Sequence, residues 1–456
     1  TELLRKHYDV ICFSCYMWNI EKTLYLAENL KKARPELKIL LGGPEVSYEA
    51  VTFMGQNKFI DFLISGEGEA CFAEWTAALL TENPEFEKIR GLTYRMEGKI
   101  FVNPPAPLLS FESVPFPYLD LVCEEDKVMY YESSRGCPFQ CSYCLSSVER
   151  RVRTLSMERV KSDLSYFIYK RVKQVKFIDR TFNWDKRRCY EIMKHLILSD
   201  NGETNFHFEL CGDLIEEDLL HLLRTARPGL FQFEIGVQST NERALRACNR
   251  SSDFSKLAEN VKRIWELGNI HLHLDLIAGL PFEDYPSFRT SFNDVYALKG
   301  HQLQLGFLKL IKGAPIRERA EEYGYAYREK APYEIISSKF ISSEALIRLK
   351  KIENLLDLYY NRGGFARTID FAIGNLAASP FDFYEELADY YYLKGFQHKS
   401  HKKEDLYRIF LLYAGWKERF TPNMKDQIKE LLMLDMKDTL NPEAIKKFER
   451  KGWDIL

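Results

Sequence analysis

The chain has 456 residues, 64 Lys and Arg against 66 Asp and Glu, and an apolar fraction of 46%, so it is long enough for two or three domains with sizeable cores. Near-neutral charge argues against a generic polyanion-binding surface; nucleic acid is not favoured, although the basic stretch 170–176 remains. Ten scattered cysteines do not form a small secreted disulfide framework, no charged-then-apolar leader opens the chain, and no apolar run approaches the roughly eighteen residues of a membrane span. A reducing cytoplasm and no membrane are expected.

Short apolar runs over 10–13, 39–41 and 62–65 read as buried strands, separated by helical patterns over 20–33 and 69–80. That is βαβ architecture with a parallel sheet, whose ligands gather at the strands' carboxyl ends. Loops 14–18, 42–45 and 66–69 would then share one crevice, with ligand-free tight turns as the alternative reading of their glycines. The chain opens on Thr1 with about three strands before Leu92, so this segment reads as the latter half of a doubly wound domain. Cys12, Cys15 and Cys71 read as small core residues. Pro104, Pro105, Pro107, Pro115 and Pro117 mark a linker or lid.

A second strand series runs over 128–133, 174–178, 206–211, 230–237, 271–277 and 303–310, with helical patterns over 157–170, 187–198, 216–225 and 255–267. Six βα units make an open parallel barrel, with its chemistry on loops at the strand C-termini. The first such loop contains RGCPFQCSYCLS, which places Cys137, Cys141 and Cys144 at a C-x3-C-x2-C spacing. This trio can ligate three corners of a 4Fe-4S cube and leave one iron open. Ordinary buried thiols are the bland alternative, disfavoured by Gly136 and Pro138; a structural zinc site would draw on Cys123 as a further ligand. Asp179 and Arg180 end the second strand, and alternation lets Tyr130, Asn183 and Lys309 face the interior. Cys189 and Cys211 read as packed thiols.

Past Ala331 the pattern turns helical, over 342–360, 381–393, 405–412, 422–434 and 442–451. His398 and His401 read as solvated loop residues, and the aromatic run 381–392 as helix packing. These helices could close the barrel mouth and exclude solvent.

With aromatic Tyr143 ahead of the last cysteine of the trio, the chain resembles the radical SAM superfamily. The resemblance implies that Cys137, Cys141 and Cys144 hold the cluster, and that the open iron chelates S-adenosylmethionine, cleaved by one electron to a 5′-deoxyadenosyl radical. Glu209 in FELCG, Gln238 in EIGVQS, Arg250 in ACNRS and Asp275 in LDLIAGLPFED are similar to the branch containing oxygen-independent coproporphyrinogen oxidases, which implies S-adenosylmethionine contacts there and at Tyr143. The N-terminal segment resembles the later strands of a cobalamin-binding domain, which points to Ser14, Gly42, Gly43, Gly66 and Glu67 as cofactor contacts; the histidine motif that supplies a lower cobalt ligand in many such domains is absent. The 331–456 segment resembles a region that follows the barrel in some cobalamin-type members.

The fold class expected is α/β: a partial Rossmann-like, flavodoxin-like domain over 1–105, a linker over 106–125, an open (β/α)6 radical SAM barrel over 126–330 and a helical domain over 331–456. The expected function is radical modification of an unidentified small molecule or peptide, by methyl transfer where cobalamin is bound, with a flavodoxin- or ferredoxin-type electron donor. The alternatives are a radical oxidase or cyclase without cobalamin and a non-catalytic haem- or cofactor-handling protein. Sulfur insertion into tRNA would need an N-terminal cysteine triad.

Overall fold

In the computed structural model, which describes residues 2–121, 127–416, 421–451 and 453, the first hundred residues form a five-stranded sheet. Strands β1 (Val10–Ser14), β2 (Lys38–Gly42) and β3 (Phe62–Ile64) are parallel. A hairpin of β4 (Leu92–Met96) and β5 (Lys99–Val102) extends the sheet in antiparallel fashion. Its turn residues Glu97 and Gly98 have φ of 52° and 79°, as a two-residue primed turn requires. Alternation splits the side chains between two cores. Ile39, Leu41 and Leu63 pack with Ile20, Ala27 and Met54, whereas Leu40, Phe62 and Ile64 pack with Trp75 and Tyr94. Cys15 lies in the first core and Cys71 in the second, on opposite faces of the sheet, so no cysteine triad forms with the exposed Cys12.

The proline-rich segment is strapped down rather than loose. Arg159 donates to the carbonyls of Glu112 (2.9 Å) and Val114 (2.7 Å), and the Glu112 carboxylate accepts from the Ser156 N–H at 2.9 Å. Phe111 is buried, with the Arg135 guanidinium 5.0 Å from its ring centroid.

The barrel strands are β6 (Val128–Tyr131), β9 (Gln174–Phe177), β10 (Asn205–Leu210), β11 (Phe231–Gln238), β12 (His271–Ala278) and β13 (Gln302–Phe307), with the short pair β7 (Ser134–Arg135) and β8 (Arg153–Thr154) between the first two. Their order is β13-β12-β11-β10-β9-β6, all parallel, the open six-stranded barrel expected from the sequence. Phe231, Phe233, Ile235 and Val237 lie buried beneath the helices, and the intervening Glu234, Gly236 and Gln238 face the lumen. Four connecting helices start on side-chain caps: Ser156, Asp185, Asp253 and Asp284 each accept the N–H three residues on.

The C-terminal helices Ser343–Leu356, Ala366–Leu376, Pro380–Leu393, Lys403–Trp416 and Pro422–Thr439 share one continuous core with the barrel, joined through contacts such as Phe292 on Phe381, 5.4 Å between ring centroids. Asn361 caps the barrel's edge strand at one residue: its amide accepts from the Leu303 N–H (2.9 Å) and donates to the Leu303 carbonyl (3.1 Å), so the edge backbone is satisfied there. No helix among the described residues is long and apolar enough to cross a membrane.

Candidate active site

The cysteine segment is held as a clasp. Antiparallel pairing of Ser134 with Thr154 and of Arg135 with Arg153 closes its base. Gly136 has φ +102°, and a Cβ there would stand 2.6 Å from the Arg151 carbonyl oxygen, so only glycine fits the crossing. The Cys137 N–H donates to Glu149 O (3.1 Å), Cys144 N–H to Cys141 O (3.0 Å) and Ser142 N–H to Cys248 O (2.8 Å). Cys137, Cys141 and Cys144 line a cavity of about 220 Å³ at the strands' carboxyl ends, together with Glu209, Gln238, Arg250 and Asp275. Among the described residues no three His, Cys, Asp or Glu side chains converge as they would around a single ion. The thiols instead surround open space; Cys123, the further ligand of a zinc reading, lies outside the described residues.

Polar groups without partners face the same space. The Arg250 Nη1 is 3.2 Å from the Tyr143 hydroxyl and 3.8 Å from Cys141 Sγ, and its Nη2 donates to the Gly236 carbonyl, but its buried Nε has no partner among the described residues. The buried Asp275 Oδ1 likewise makes no directed hydrogen bond, although His273 Nε2 lies 3.2 Å away. Gln238 sits at φ 72°, after a break in register at Gly236. A Cβ on Gly236 would come within 2.1 Å of the Gln238 amide nitrogen, so the missing side chain leaves the cradle its room.

The lumen carboxylates divide. Glu234 lies 3.1 Å from His207 Nε2 and 3.1 Å from Lys176 Nζ, and these contacts hold its carboxyl down at about 2 against the cost of burial. Glu209 is pushed up to about 7 by burial and then by the charges of Glu234 and Asp275. A carboxyl poised there can both donate and accept a hydrogen bond near neutral pH. Burial also raises Asp275, whereas the adjacent His273 is raised by Asp275 in spite of burial.

A second cavity, of about 930 Å³, opens between the N-terminal sheet and the cysteine loop, lined by Ser47, Tyr48, Ser65, Gly66, Glu67, Gly136 and Leu145 among others. Glu67 forms ion pairs with Arg153 and with Arg135 (3.2 Å) and accepts from the Leu109 N–H at 3.1 Å. Burial alone would raise the Glu67 carboxyl, but the two arginines hold it at about 2. Arg135 also reaches Glu69 (2.9 Å) and Glu132 (2.7 Å), so these arginines are neutralised. Arg180 lines both cavities.

Residues 131–295 match the family described as the radical SAM superfamily, and residues 1–75 match the B12 binding domain. The chain thus carries a B12-binding domain followed by a radical SAM domain. Residues 321–453 match a further family described as a protein of unknown function, DUF4080. The chain is 26% identical over 346 residues to the cobalamin-dependent radical SAM methyltransferase TokK of Streptomyces tokunonensis, a match that covers 71% of this chain and 50% of that protein. It is 34% identical over 268 residues to the uncharacterized methyltransferase PH0819 of Pyrococcus horikoshii, 57% of each chain. Its fold superposes on OxsB, a cobalamin-dependent S-adenosylmethionine radical enzyme with aqua-cobalamin bound, at a TM-score of 0.64 and 15% identity, covering 97% of this chain and 74% of that one. The chain thus spans about half the length of the curated relatives it matches.

The two domain matches imply a 4Fe-4S cluster and S-adenosylmethionine in the barrel and cobalamin at the N-terminal domain. The small cavity fits the first two: three buried or half-buried thiols on one side and the orphaned Arg250 Nε and Asp275 Oδ1 on the other call for a polar ligand. Cys211 lines this radical SAM cavity too, but its thiol donates to Asp213 (2.9 Å), and burial followed by that carboxylate pushes it up to about 12. The larger cavity suits a bulky, largely uncharged group, and its lining offers no imidazole among the described residues. Of the five N-terminal candidates, Gly66 and Glu67 line it; Ser14, Gly42 and Gly43 do not. A Cβ on Gly43 would stand 2.6 Å from the Cys15 carbonyl oxygen, so chain crossing accounts for that glycine.

Some interior candidates are anchors instead. The buried Asp179 accepts from the Ser133 N–H (2.7 Å), the Ser133 hydroxyl (2.7 Å) and the Ser134 hydroxyl (2.5 Å), fixing the strand end that leads into the cysteine loop. Asn183 is closed on the backbone of Cys211, donating at 2.8 Å and accepting at 2.9 Å. Tyr130 is exposed, and neither it nor Lys309 lines either cavity. Among the described residues none after 330 lines either cavity, so these helices do not close the mouth as expected; they brace the barrel from its β13 edge. Thr181, 3.7 Å from Cys137 Sγ, and the lumen residues Lys176, His207 and His273 are absent from the sequence reading. Alternation along β9, β10 and β12 would have found the last three.

Proposed function

We propose that this chain is the catalytic part of a cobalamin-dependent radical SAM methyltransferase that acts on an unactivated carbon of a small molecule or peptide. The supporting observation is the adjacency of two cavities: one ringed by Cys137, Cys141, Cys144, Arg250 and Asp275, the other between that cysteine loop and the B12-binding domain. When bound, the cluster and S-adenosylmethionine supply a carbon-centred radical, and cobalamin supplies a methyl carrier. The three cysteines hold the cluster. Arg250 pairs with the carboxylate of S-adenosylmethionine, and Glu209 and Asp275 take its amino and ribose groups, with Gln238 and Tyr143 completing the contact surface. Gly66 bears on cobalamin, and Glu67 acts there through the arginine cluster it neutralises. The walls of the small cavity keep water from the reacting atoms.

The electron enters from a flavodoxin- or ferredoxin-type donor. Arg150 and Arg151, exposed on the loop whose backbone packs against Gly136 and Cys137, offer such an acidic protein a basic landing beside the cluster. The compartment is the reducing cytoplasm, in keeping with free thiols at every described cysteine.

The test is anaerobic reconstitution with iron, sulfide and cobalamin, then reduction with S-adenosylmethionine deuterated in its methyl group. Formation of both 5′-deoxyadenosine and S-adenosylhomocysteine is expected. Deoxyadenosine without S-adenosylhomocysteine would instead favour a radical oxidase or cyclase, and neither product a cofactor-handling role.

A further inference from the structure

A methyl carrier in the larger cavity and a radical source in the smaller one must meet the substrate where the two cavities adjoin, and Arg180 is the one residue common to both linings among the described residues. Its backbone is flanked by anchored residues: it follows Asp179, whose carboxylate accepts from Ser133 and Ser134, and precedes Thr181, whose hydroxyl donates to the Arg180 carbonyl at 2.9 Å. Its guanidinium is exposed and makes no ion pair or hydrogen bond among the described residues. The other arginines of the larger cavity, Arg135 and Arg153, are spent on Glu67, Glu69 and Glu132. Arg250 lines the small cavity alone, held by Gly236 and Tyr143 where the proposed function gives it to S-adenosylmethionine. The carboxyl whose ionisation Arg180 favours is Glu209, on which burial and Glu234 act more strongly.

From this placement we infer that the substrate carries an anionic oxygen group, a carboxylate or phosphate, bound by Arg180 so that the reacting carbon lies between the two cavities. A guanidinium fork takes such a group through two parallel hydrogen bonds, which fix direction as well as position. The inference rests on the proposed function for the identity of the two cavities' contents, but not for the binding itself.

The test is arginine modification of the reconstituted protein by phenylglyoxal, read residue by residue from peptide masses, with inorganic phosphate as the probe against sodium chloride of equal ionic strength. Phosphate should slow labelling of Arg180 about tenfold at saturation while labelling of the exposed Arg150 and Arg187 in the same digest stays unchanged. Equal slowing of all three arginines, or none at Arg180, overturns the inference. So does full protection of Arg180 by S-adenosylmethionine alone, which would assign the guanidinium to that ligand's carboxylate. Labelling needs no turnover, so a protein that forms no deoxyadenosine yet shows phosphate protection would sink the proposed function and leave this inference standing.

Discussion

Glu209 and Glu234 are register partners on adjacent strands, yet they titrate in opposite directions. Like charges directly opposite one another cannot both ionise cheaply, and His207 and Lys176 decide which one does. The folded protein therefore keeps a proton on Glu209 up to about pH 7, whereas the unfolded chain releases it near 4.5. The stability this group contributes is complete below the unfolded value and is lost as pH rises through about 7, a swing of about 3 kcal/mol. Without S-adenosylmethionine, thermal melts of E209Q between pH 5 and 7 should show a flatter loss of stability than the parent. Glu283, also pushed up to about 7 by burial, keeps its own share of the slope. An unchanged slope in E209Q would mean that Glu209 is ionised in the fold. Gly136 makes a separate residue-scale case. G136A forces a side chain onto the Arg151 carbonyl in a left-handed conformation, at about 1–3 kcal/mol, and the expected readout is iron lost on gel filtration after reconstitution.

At the scale of elements, the loop of Glu149, Arg150 and Arg151 lies against the cysteine segment and carries two exposed cations. Electrostatic steering acts on encounter rates, so charge reversal at both positions should slow reduction by an acidic flavodoxin about tenfold at low salt. Dithionite needs no docking, so its rate should not change, and a matching fall with dithionite would point to damage at the cluster itself. Strand-by-strand reading of the sequence reached the open barrel because period-2 burial on β11 and β12 is unbroken. It did not reach the hairpin of β4 and β5: a search for parallel βαβ units passes over a two-residue Glu97-Gly98 turn between alternating runs. Helix Ala366–Leu376 escaped because Gly363 and Gly364 precede it and Gly374 interrupts it. Asp179 and Asn183 were misplaced for a different reason. β9 ends at Phe177, and beyond a strand's last residue alternation no longer says where a side chain goes. The cysteine trio was legible because spacing alone carries it, whereas Arg180 as the shared wall of two cavities needs the fold in three dimensions.

For the molecule as a whole, the N-terminal domain is fixed to the barrel by two polar clusters. In one, Glu45 is buried among Lys312 (3.2 Å) and the Tyr333 hydroxyl; in the other, Glu67 joins Arg135 and Arg153 and fastens Leu109 of the connecting segment. Arg153 is only 10% exposed, so in E67A it keeps the Leu109 carbonyl as its remaining hydrogen-bond acceptor and loses its charge partner. Leaving a mostly buried cation unpaired costs several kcal/mol in a dry site; partial solvent access to Glu67 brings this to about 2 kcal/mol. The loss falls on the strap rather than on a core, because none of the three hydrophobic clusters contains these side chains. Chymotrypsin should therefore cut E67A after Leu108 or Phe111 much faster than the parent, while the barrel fragment resists. In E69A, Arg135 retains Glu67 and Glu132, and Arg153 keeps Glu67, so that variant should change the cutting rate far less. If E67A and the parent are cut equally, the connection between the two cavities is held by the Glu45 cluster alone, and the cysteine loop does not depend on the B12-binding domain for its position.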